Sequence, residues 1–372
     1  MTSIRAFSLS VPDALLDDLH ERLARSRLLD DSPRRPPSGM NAGYLRALVD
    51  SWRDFDWRAR ERWLDEHPQF LADIDDATIH FVHRKASRGD APALLIMHGW
   101  PHTFALQLDF ADLLPDFHVV VASLPGFAFS TPYADGPITE TRLASTMHRL
   151  MTEVLGYERY FTYGEDVSAN VNDLIAASYP ESVIGIVVTH SHFPTMDERR
   201  ALTDPAEREF FDRLERSHYT EGAYGHVQAT RPDTLAAALN DSPAGLIAWL
   251  AEKLVEWSDT PRGDPAAVEQ RISRDRIITE AMIYWVTQSV GSSFRPYYEG
   301  ADTPGPIPPV EVPAAVFIQR HEADNPESIA RSFYRGLRVF ERLDEGGHFT
   351  VAEVPAAMAE RVRAFAHELG VF

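Results

Sequence analysis

No cysteine occurs among the 372 residues of this chain, which excludes disulfide bonds, a thiol nucleophile and thiolate metal ligands. Basic residues are few beside acidic ones, 36 against 56, and the formal net charge of −20 argues against nucleic acid or an anionic membrane surface as a partner. No apolar run approaches the length of about 20 residues that a membrane-spanning helix needs, and the first residues lack the pattern of a signal peptide. These absences predict a soluble, cytoplasmic protein.

Short runs of continuously apolar residues indicate a buried sheet. They have the length of strands, alternate with helical segments, and cover residues 93–97, 119–122, 183–188 and 314–318. Strands that are apolar on both faces and alternate with helices are typical of a parallel sheet covered on both sides. We therefore expect an α/β fold with a mostly parallel central sheet. Residues 77–83 alternate between polar and apolar side chains, which predicts a half-buried strand near the sheet edge.

The chain exceeds the usual single-domain length of roughly 100 to 200 residues, so additions to the α/β unit are expected. The strand pattern stops over a helix-rich region and then resumes. The predicted segments are a helical N-terminal extension at 1–75, the first part of the core at 76–192, a helical lid at 193–302 and the second part of the core at 303–372. Proline-rich stretches predict a loop at 32–37 and a stiff connector at 303–309.

The most informative stretch is GEDVS at 164–168, between a predicted strand at 160–163 and a predicted helix at 168–179. A strand, a tight turn with small residues two before and two after its centre, and a helix form a nucleophile elbow. Here the turn presents Asp166 instead of a serine. A carboxylate is ionised near neutral pH and can displace at a saturated carbon, leaving an ester on the enzyme. Asp166 therefore indicates cleavage of carbon–oxygen or carbon–halogen bonds.

An elbow nucleophile is followed along the chain by an acid and then by a histidine. His348 comes after the last predicted strand, behind a Gly-Gly pair, and is the candidate base. Glu322 follows the strand at 314–318 and is placed to orient the imidazole. Asp324, two residues further on, offers the same chemistry, and the residues alone leave both acids open.

The sequence HGWP at 98–101 directly follows the strand at 93–97 and predicts a turn. This turn can aim the backbone N–H of Trp100 at the same point as the N–H of Val167, the residue after the nucleophile. Two such donors form an oxyanion hole, which stabilises the tetrahedral intermediate formed when water attacks the enzyme ester. Each donor contributes about 3 to 4 kcal/mol in hydrolases where it has been removed.

Taken jointly, the HGWP turn, the aspartate elbow, Glu322 and the Gly-Gly-His348 motif resemble an epoxide hydrolase of the α/β-hydrolase superfamily, in the microsomal and juvenile-hormone branch. The N-terminal region, with FDWR at 55–58, is similar to the extension that wraps round the core in this branch. The resemblance covers nearly the whole chain. It implies an α/β-hydrolase fold with a helical lid, and cofactor-independent hydrolysis of an epoxide to a vicinal diol through a covalent aspartyl ester.

The resemblance also implies residue roles. The nucleophile, the acid and the base are, in this order, Asp166, Glu322 and His348. Two lid tyrosines hold the epoxide oxygen: Tyr224, at the start of the motif YGHVQ, fits the first, and Tyr297 or the adjacent Tyr298 fits the second. Phenol O–H groups suit this role because the opening epoxide needs its developing alkoxide stabilised and protonated.

Departures from the family pattern concern residues near these motifs. Val167 stands where tryptophan is common, Ser168 where glycine is frequent and His102 where glycine is often found. The oxyanion hole needs only the backbone of Val167, so the departures bear on the shape of the pocket.

Other interpretations of the sequence stay open. A haloalkane dehalogenase uses the same three catalytic groups, but Val167 has no indole to hold a leaving halide and the lid tyrosines would be unexplained. A non-catalytic ligand-binding protein of the same fold would need no complete triad. The histidines show no ligand-spaced set, so neither a metal nor another cofactor is expected. The expected partners are an epoxide and water, without nucleic acid or membrane, and a homodimer is compatible with the sequence.

Overall fold

The computed structural model describes residues 4–31, 39–192, 194–300 and 307–372, apart from the side chain of Met196. The loop predicted at 32–37 and most of the connector predicted at 303–309 lie outside these residues. Among the helices described, none is both long and apolar enough to cross a membrane.

A single nine-stranded sheet runs through the described residues. Its strands are β1 (Ile4–Phe7), β2 (Gln69–Ile74), β3 (Ala77–Arg84), β4 (Ala93–Met97), β5 (His118–Ala122), β6 (Tyr160–Gly164), β7 (Val183–Val188), β8 (Val310–Ile318) and β9 (Tyr334–Arg342). They lie in the order β1-β2-β3-β5-β4-β6-β7-β8-β9. Pairing is antiparallel from β1 to β5 and parallel from β5 to β9. The predicted mostly parallel sheet is confirmed.

Burial explains why the central strands could be recognised. Every residue of β4 and β5 is buried, so both faces of the sheet are covered at its centre. A strand covered on both faces needs apolar side chains at successive positions, and not only at alternate ones. The uninterrupted runs in the sequence are the consequence.

The antiparallel end of the sheet differs from expectation. The strand predicted near the edge at 77–83 is β3, which lies inside the sheet because β1 and β2 pair beyond it. The two strands at this end, β1 and β2, belong to the N-terminal extension, which is therefore not purely helical. The four residues of β1 are mostly exposed, so no alternation of polar and apolar side chains marks this strand.

The helices cover the sheet and build the lid. They are α1 (Asp13–Ala24), α2 (Ala42–Arg53), α3 (Trp57–Asp65), α4 (Leu108–Asp112), α5 (Glu140–Arg149), α6 (Val167–Ser178), α7 (Met196–Ala201), α8 (Pro205–Glu221), α9 (Ala223–Thr230), α10 (Pro232–Asp241), α11 (Pro243–Trp257), α12 (Arg274–Thr287), α13 (Val290–Ser293), α14 (Arg295–Glu299), α15 (Glu327–Phe333), α16 (Thr350–Glu353) and α17 (Pro355–Glu368). Short 3₁₀ helices cover Phe104–Gln107 and Pro265–Gln270, and a π-helical turn covers Leu150–Val154.

The N-terminal extension supports the lid. Helix α2 packs against α11 and α12 of the lid, with Leu48 and Trp52 buried. Polar contacts reinforce this packing: the guanidinium of Arg274 donates to Ser51 Oγ at 3.0 Å, and that of Arg22 donates to Asp241 Oδ1 at 2.7 Å. The lid helices α7 to α14 lie between β7 and β8 in the chain. They are thereby held over the carboxyl ends of the parallel strands, where ligands of open α/β sheets bind.

Candidate active site

The turn between β6 and α6 places Asp166 in a strained backbone conformation, with φ 56° and ψ −126°. Residues with a side chain rarely adopt this region, and holding one there costs about 1–3 kcal/mol. The turn also requires glycine at position 164, because a Cβ atom there would lie 2.1 Å from the carbonyl oxygen of Ser168. The surrounding fold maintains the strain, and the carboxylate stands clear of the sheet end.

The three residues predicted to form a triad lie together. His348 Nε2 is 3.2 Å from Asp166 Oδ2, and His348 Nδ1 is 2.9 Å from Glu322 Oε1. Asp324 points away: its side chain is 68% exposed and pairs with Arg342. Glu322 is therefore the acid that faces the imidazole.

Both predicted oxyanion donors bond the carboxylate of the nucleophile. The N–H of Trp100 donates to Asp166 Oδ1 at 2.9 Å, and the N–H of Val167 also bonds the carboxylate. The approach is close: a Cβ atom at Gly99 would lie 2.3 Å from Asp166 Cβ. The buried imidazole of His98 fixes the turn, since Nδ1 donates to the Gly99 carbonyl at 3.0 Å. The carboxylate thus has one oxygen in the hole and one beside the base.

Charges in the triad follow from burial and from these hydrogen bonds. Burial lowers the pKa of His348, but its hydrogen bonds to Asp166 and Glu322 outweigh this effect and raise the pKa to about 10. Burial raises the pKa of both acids, yet the bonds to His348 hold the pKa of Asp166 below its ordinary value and lower that of Glu322 to about 2. At neutral pH an imidazolium therefore lies between two carboxylates, and the nucleophile is ionised.

The lid places two tyrosines beside the oxyanion turn. The ring of Tyr224, in α9, stacks on that of Trp100 with centroids 5.2 Å apart and planes 9° apart. The ring of Tyr297, in α14, lies edge-on to Trp100 at 6.2 Å and 6.1 Å from Tyr224. The adjacent Tyr298 is 50% exposed. Of the two alternatives from the sequence, Tyr297 is therefore the one that faces the site.

Both lid phenols keep their protons. Burial and then the negative charge of Asp166 raise the pKa of Tyr224 and of Tyr297 above the ordinary value, and the two phenols share a hydrogen bond. Both rings contact Trp100, whose N–H donates to Asp166, so the phenols lie on the same side of the elbow as the oxyanion turn. They are neutral groups that can donate hydrogen bonds beside the oxyanion turn.

The lid also touches the base directly. The carbonyl oxygen of Trp257, at the end of α11, accepts the N–H of His348 at 2.9 Å. The rings of these two residues lie 4.8 Å apart. The loop that carries the base is thus positioned by the lid as well as by the core.

Sequence reasoning missed a second histidine in the site. His190 follows β7, and its Nε2 lies 3.1 Å from His348 Nδ1. Its Nδ1 lies 3.4 Å from the backbone nitrogen of Asp166. Burial and the charge of His348 lower the pKa of His190 to about 4, so the ring is neutral. A signal was available, because His190 comes directly after the parallel strand next to β6, where side chains converge.

His190, Glu322 and His348 have donor atoms within 4.8 Å of one another, a group of the kind that can hold a metal ion. The sequence did not indicate this group because its members are far apart in the chain. Its short contacts are hydrogen bonds of the triad and its neighbour, and we assign it no metal.

Comparison with known proteins finds relatives that match nearly the whole chain. The family model for the N terminus of epoxide hydrolases matches residues 4–106, and that of the alpha/beta hydrolase fold matches residues 92–288. The chain is 31% identical to epoxide hydrolase 1 of Sus scrofa, over 98% of this chain and 88% of that protein.

Solved structures give the same result. Juvenile hormone epoxide hydrolase from the silkworm Bombyx mori superposes with a TM-score of 0.89 at 25% identity, covering 99% of this chain and 95% of that one. The epoxide hydrolase of Aspergillus niger superposes with a TM-score of 0.84 at 26% identity, covering 99% and 97%. The likeness extends over the core, the lid and the N-terminal extension together.

Proposed function

We infer the catalytic roles of five residues in this chain, which belongs to the epoxide hydrolase family of the α/β-hydrolase fold. Asp166 is the nucleophile, and Glu322 orients the base, His348. Tyr224 and Tyr297 donate hydrogen bonds to the epoxide oxygen. One observation carries the assignment: Asp166 Oδ1 accepts from Trp100, while Oδ2 lies beside His348. The lid tyrosines supply O–H donors for the oxygen of an opening epoxide, which a leaving halide does not require.

In the first step Asp166 Oδ2 attacks an epoxide carbon. The ring carbon–oxygen bond breaks, and the oxygen takes a proton from the tyrosine pair, giving a hydroxyalkyl ester. Esterification removes the negative charge that holds the proton on His348, so the pKa of His348 falls. The imidazolium releases this proton, which restores the phenol. The base is thereby neutral when it is needed.

In the second step His348, oriented by Glu322, takes a proton from water while the hydroxide adds to Asp166 Cγ. The negative charge develops on Oδ1, where the N–H groups of Trp100 and Val167 stabilise it. Collapse of the tetrahedral intermediate breaks the bond between Cγ and the alkyl oxygen, and the hydroxyl proton passes to the departing diol. Asp166 returns to a carboxylate and His348 is again an imidazolium.

Single-turnover hydrolysis in ¹⁸O-labelled water tests the nucleophile. With enzyme in excess over an aryl epoxide such as styrene oxide, we expect an unlabelled diol and one labelled oxygen on Asp166, measured by peptide mass spectrometry. Multiple turnovers then give labelled diol, because the labelled carboxylate oxygen becomes the nucleophile in later cycles. A diol labelled in the first turnover would show direct attack by water and would contradict the assignment.

Replacing the lid tyrosines tests the donors. Tyr224→Phe and Tyr297→Phe should each slow ester formation by about 10- to 100-fold, because general acids contribute about 10²–10⁴-fold and the remaining phenol takes over in part. Ester hydrolysis should change little. The two rates are separated by stopped-flow fluorescence under single-turnover conditions. The exposed neighbour provides a matched control, since Tyr298→Phe should leave both rates unchanged; equal effects of all three variants would contradict the roles.

We propose further that the protein is a soluble cytoplasmic enzyme that acts on a small-molecule epoxide without binding nucleic acid or membrane. The net charge of −20 supports this proposal, because both kinds of partner require a basic surface. A homodimer stays a prediction.

A further inference from the structure

We propose that His102 and Glu165 form a buried clamp that positions the oxyanion donors for hydrolysis of the enzyme ester. The inference rests on the nucleophile role proposed above for Asp166. His102 and Glu165 are positioning residues, since each acts through a neighbouring backbone and neither contacts the reacting atoms.

The clamp joins the two chain segments that form the oxyanion hole. Glu165 directly precedes Asp166, and His102 follows Trp100 by two residues. Both side chains are completely buried, and His102 Nε2 lies 3.0 Å from Glu165 Oε1. The same nitrogen is 3.3 Å from the backbone nitrogen of Gly99, inside the turn. The side chains therefore hold the turn and the elbow at a fixed separation.

Glu165 is held as a carboxylate. Burial raises its pKa, but the hydrogen bond and the charge of His102, together with the phenol of Tyr163, outweigh burial and lower the pKa overall. Tyr163 donates to Glu165 Oε2 at 2.6 Å, and the Gln107 amide donates to Oε1 at 3.3 Å. Facing a carboxylate at 3.0 Å, His102 Nε2 is the donor to Glu165, so its longer contact with the Gly99 nitrogen is packing and not a second hydrogen bond. A buried carboxylate with three donors is rigid, which suits a positioning role.

The lid contacts the same segment. Glu280 of α12 is buried and hydrogen-bonds Thr103, the residue after His102. Burial raises the pKa of Glu280 to about 7. His102 thus lies near two buried acids, and its removal takes a polar partner from Glu165. A test needs a substitution that keeps a donor at the same place.

The clamp matters more for the second step than for the first. In the resting enzyme the charged Asp166 Oδ1 binds the N–H of Trp100 at 2.9 Å and helps to hold the turn. Esterification removes this charge, and a hydrogen bond to a neutral carbonyl oxygen is about half as strong. The position of the turn then depends more on its other contacts. One of these is the clamp, whose two side chains are completely buried. Loss of the clamp should misplace the Trp100 donor when the oxyanion forms.

Single-turnover kinetics of two variants test the inference. In His102→Ala the ester should form within about 3-fold of the wild-type rate but decay about 30-fold more slowly, a smaller loss than the 10²–10³-fold that follows removal of an oxyanion donor. His102→Gln places an amide N–H near the Nε2 position and should recover most of the decay rate. Glu165→Gln keeps the side-chain size and should also slow decay selectively, which provides a second variant if His102→Ala does not fold. Rates are normalised to the fraction of enzyme that forms ester.

His80 offers a matched control. It is a completely buried histidine whose ring nitrogens lie 2.9 Å from Ser123 Oγ and from Gln69 Oε1, so His80→Ala removes a comparable buried group. This variant should leave ester decay unchanged. Three results would overturn the clamp while leaving the nucleophile proposal intact. They are slowing of ester decay by His80→Ala as large as that by His102→Ala, equal slowing of ester formation and decay in His102→Ala, and unchanged ester decay in the clamp variants. Absence of ester in the wild-type enzyme would refute the proposed nucleophile instead.

Discussion

Replacing Asp166 by alanine should abolish turnover, with a loss of at least about 10⁴-fold in kcat, because no other group is placed to form the ester. Asp166→Asn should be equally inactive: it keeps an oxygen for the Trp100 N–H but has no nucleophile. Diol formation from an aryl epoxide, followed by chromatography, measures the effect. A variant lacking Asp166 that still turned over at the wild-type rate would end the proposed mechanism.

A buried acid on the helix that follows Asp166 provides the control for this loss. Asp173 lies in α6, and both of its oxygens accept from the phenol of Tyr334 at 3.0 Å. Asp173→Asn preserves the shape and an acceptor for Tyr334, so turnover should persist. Loss of activity in this variant as well would indicate that the buried acids of this segment support folding. The labelled-water experiment would then decide whether Asp166 is the nucleophile.

Replacing His348 by glutamine should trap the covalent ester. Asp166 is still ionised and can open the epoxide, but no base remains to activate water, so ester decay should slow by about 10³-fold or more. The trapped enzyme should gain the full mass of the substrate, because epoxide opening releases no leaving group. Intact-protein mass spectrometry detects the adduct, and peptide mapping places it on Asp166.

His148 is the matched control for His348→Gln. Its ring stacks on Tyr179 with centroids 3.7 Å apart, and its Nδ1 lies 3.0 Å from the phenol of Tyr160, at the opposite end of β6 from the elbow. His148→Gln should form and hydrolyse the ester at wild-type rates and accumulate no adduct. Normal multiple turnover without an adduct in His348→Gln would exclude His348 as the base, and His190 would then be the next imidazole to replace.

The parallel half of the sheet could be predicted because strands buried on both faces need apolar side chains at consecutive positions. The apolar runs correspond to β4, β5, β7 and the last part of β8. The antiparallel end could not be placed this way. β1 is short and exposed, and nothing local shows that it pairs with β2 through Ile4 and Ala72, residues far apart in the chain.

The candidate site was predictable where one short segment fixes a side chain. The elbow with Asp166 and the turn with Trp100 are local, since small residues, turn geometry and a following helix determine them. The sequence missed His190 and the contact between His102 and Glu165. Those contacts join segments that meet only after the strands have paired, and no spacing along the chain encodes them.

The sequence by itself predicted the mostly parallel α/β fold, the aspartate elbow and a resemblance to epoxide hydrolases, because each depends on local motifs whose order along the chain is fixed. Only the tertiary structure decided between neighbouring side chains. Glu322 faces His348 while Asp324 faces Arg342. Tyr297 is half-buried against Trp100 while Tyr298 is exposed. The physical reason is that residues one or two positions apart point in different directions. Which of the two side chains faces the site depends on how helices and strands that are distant in the chain pack together.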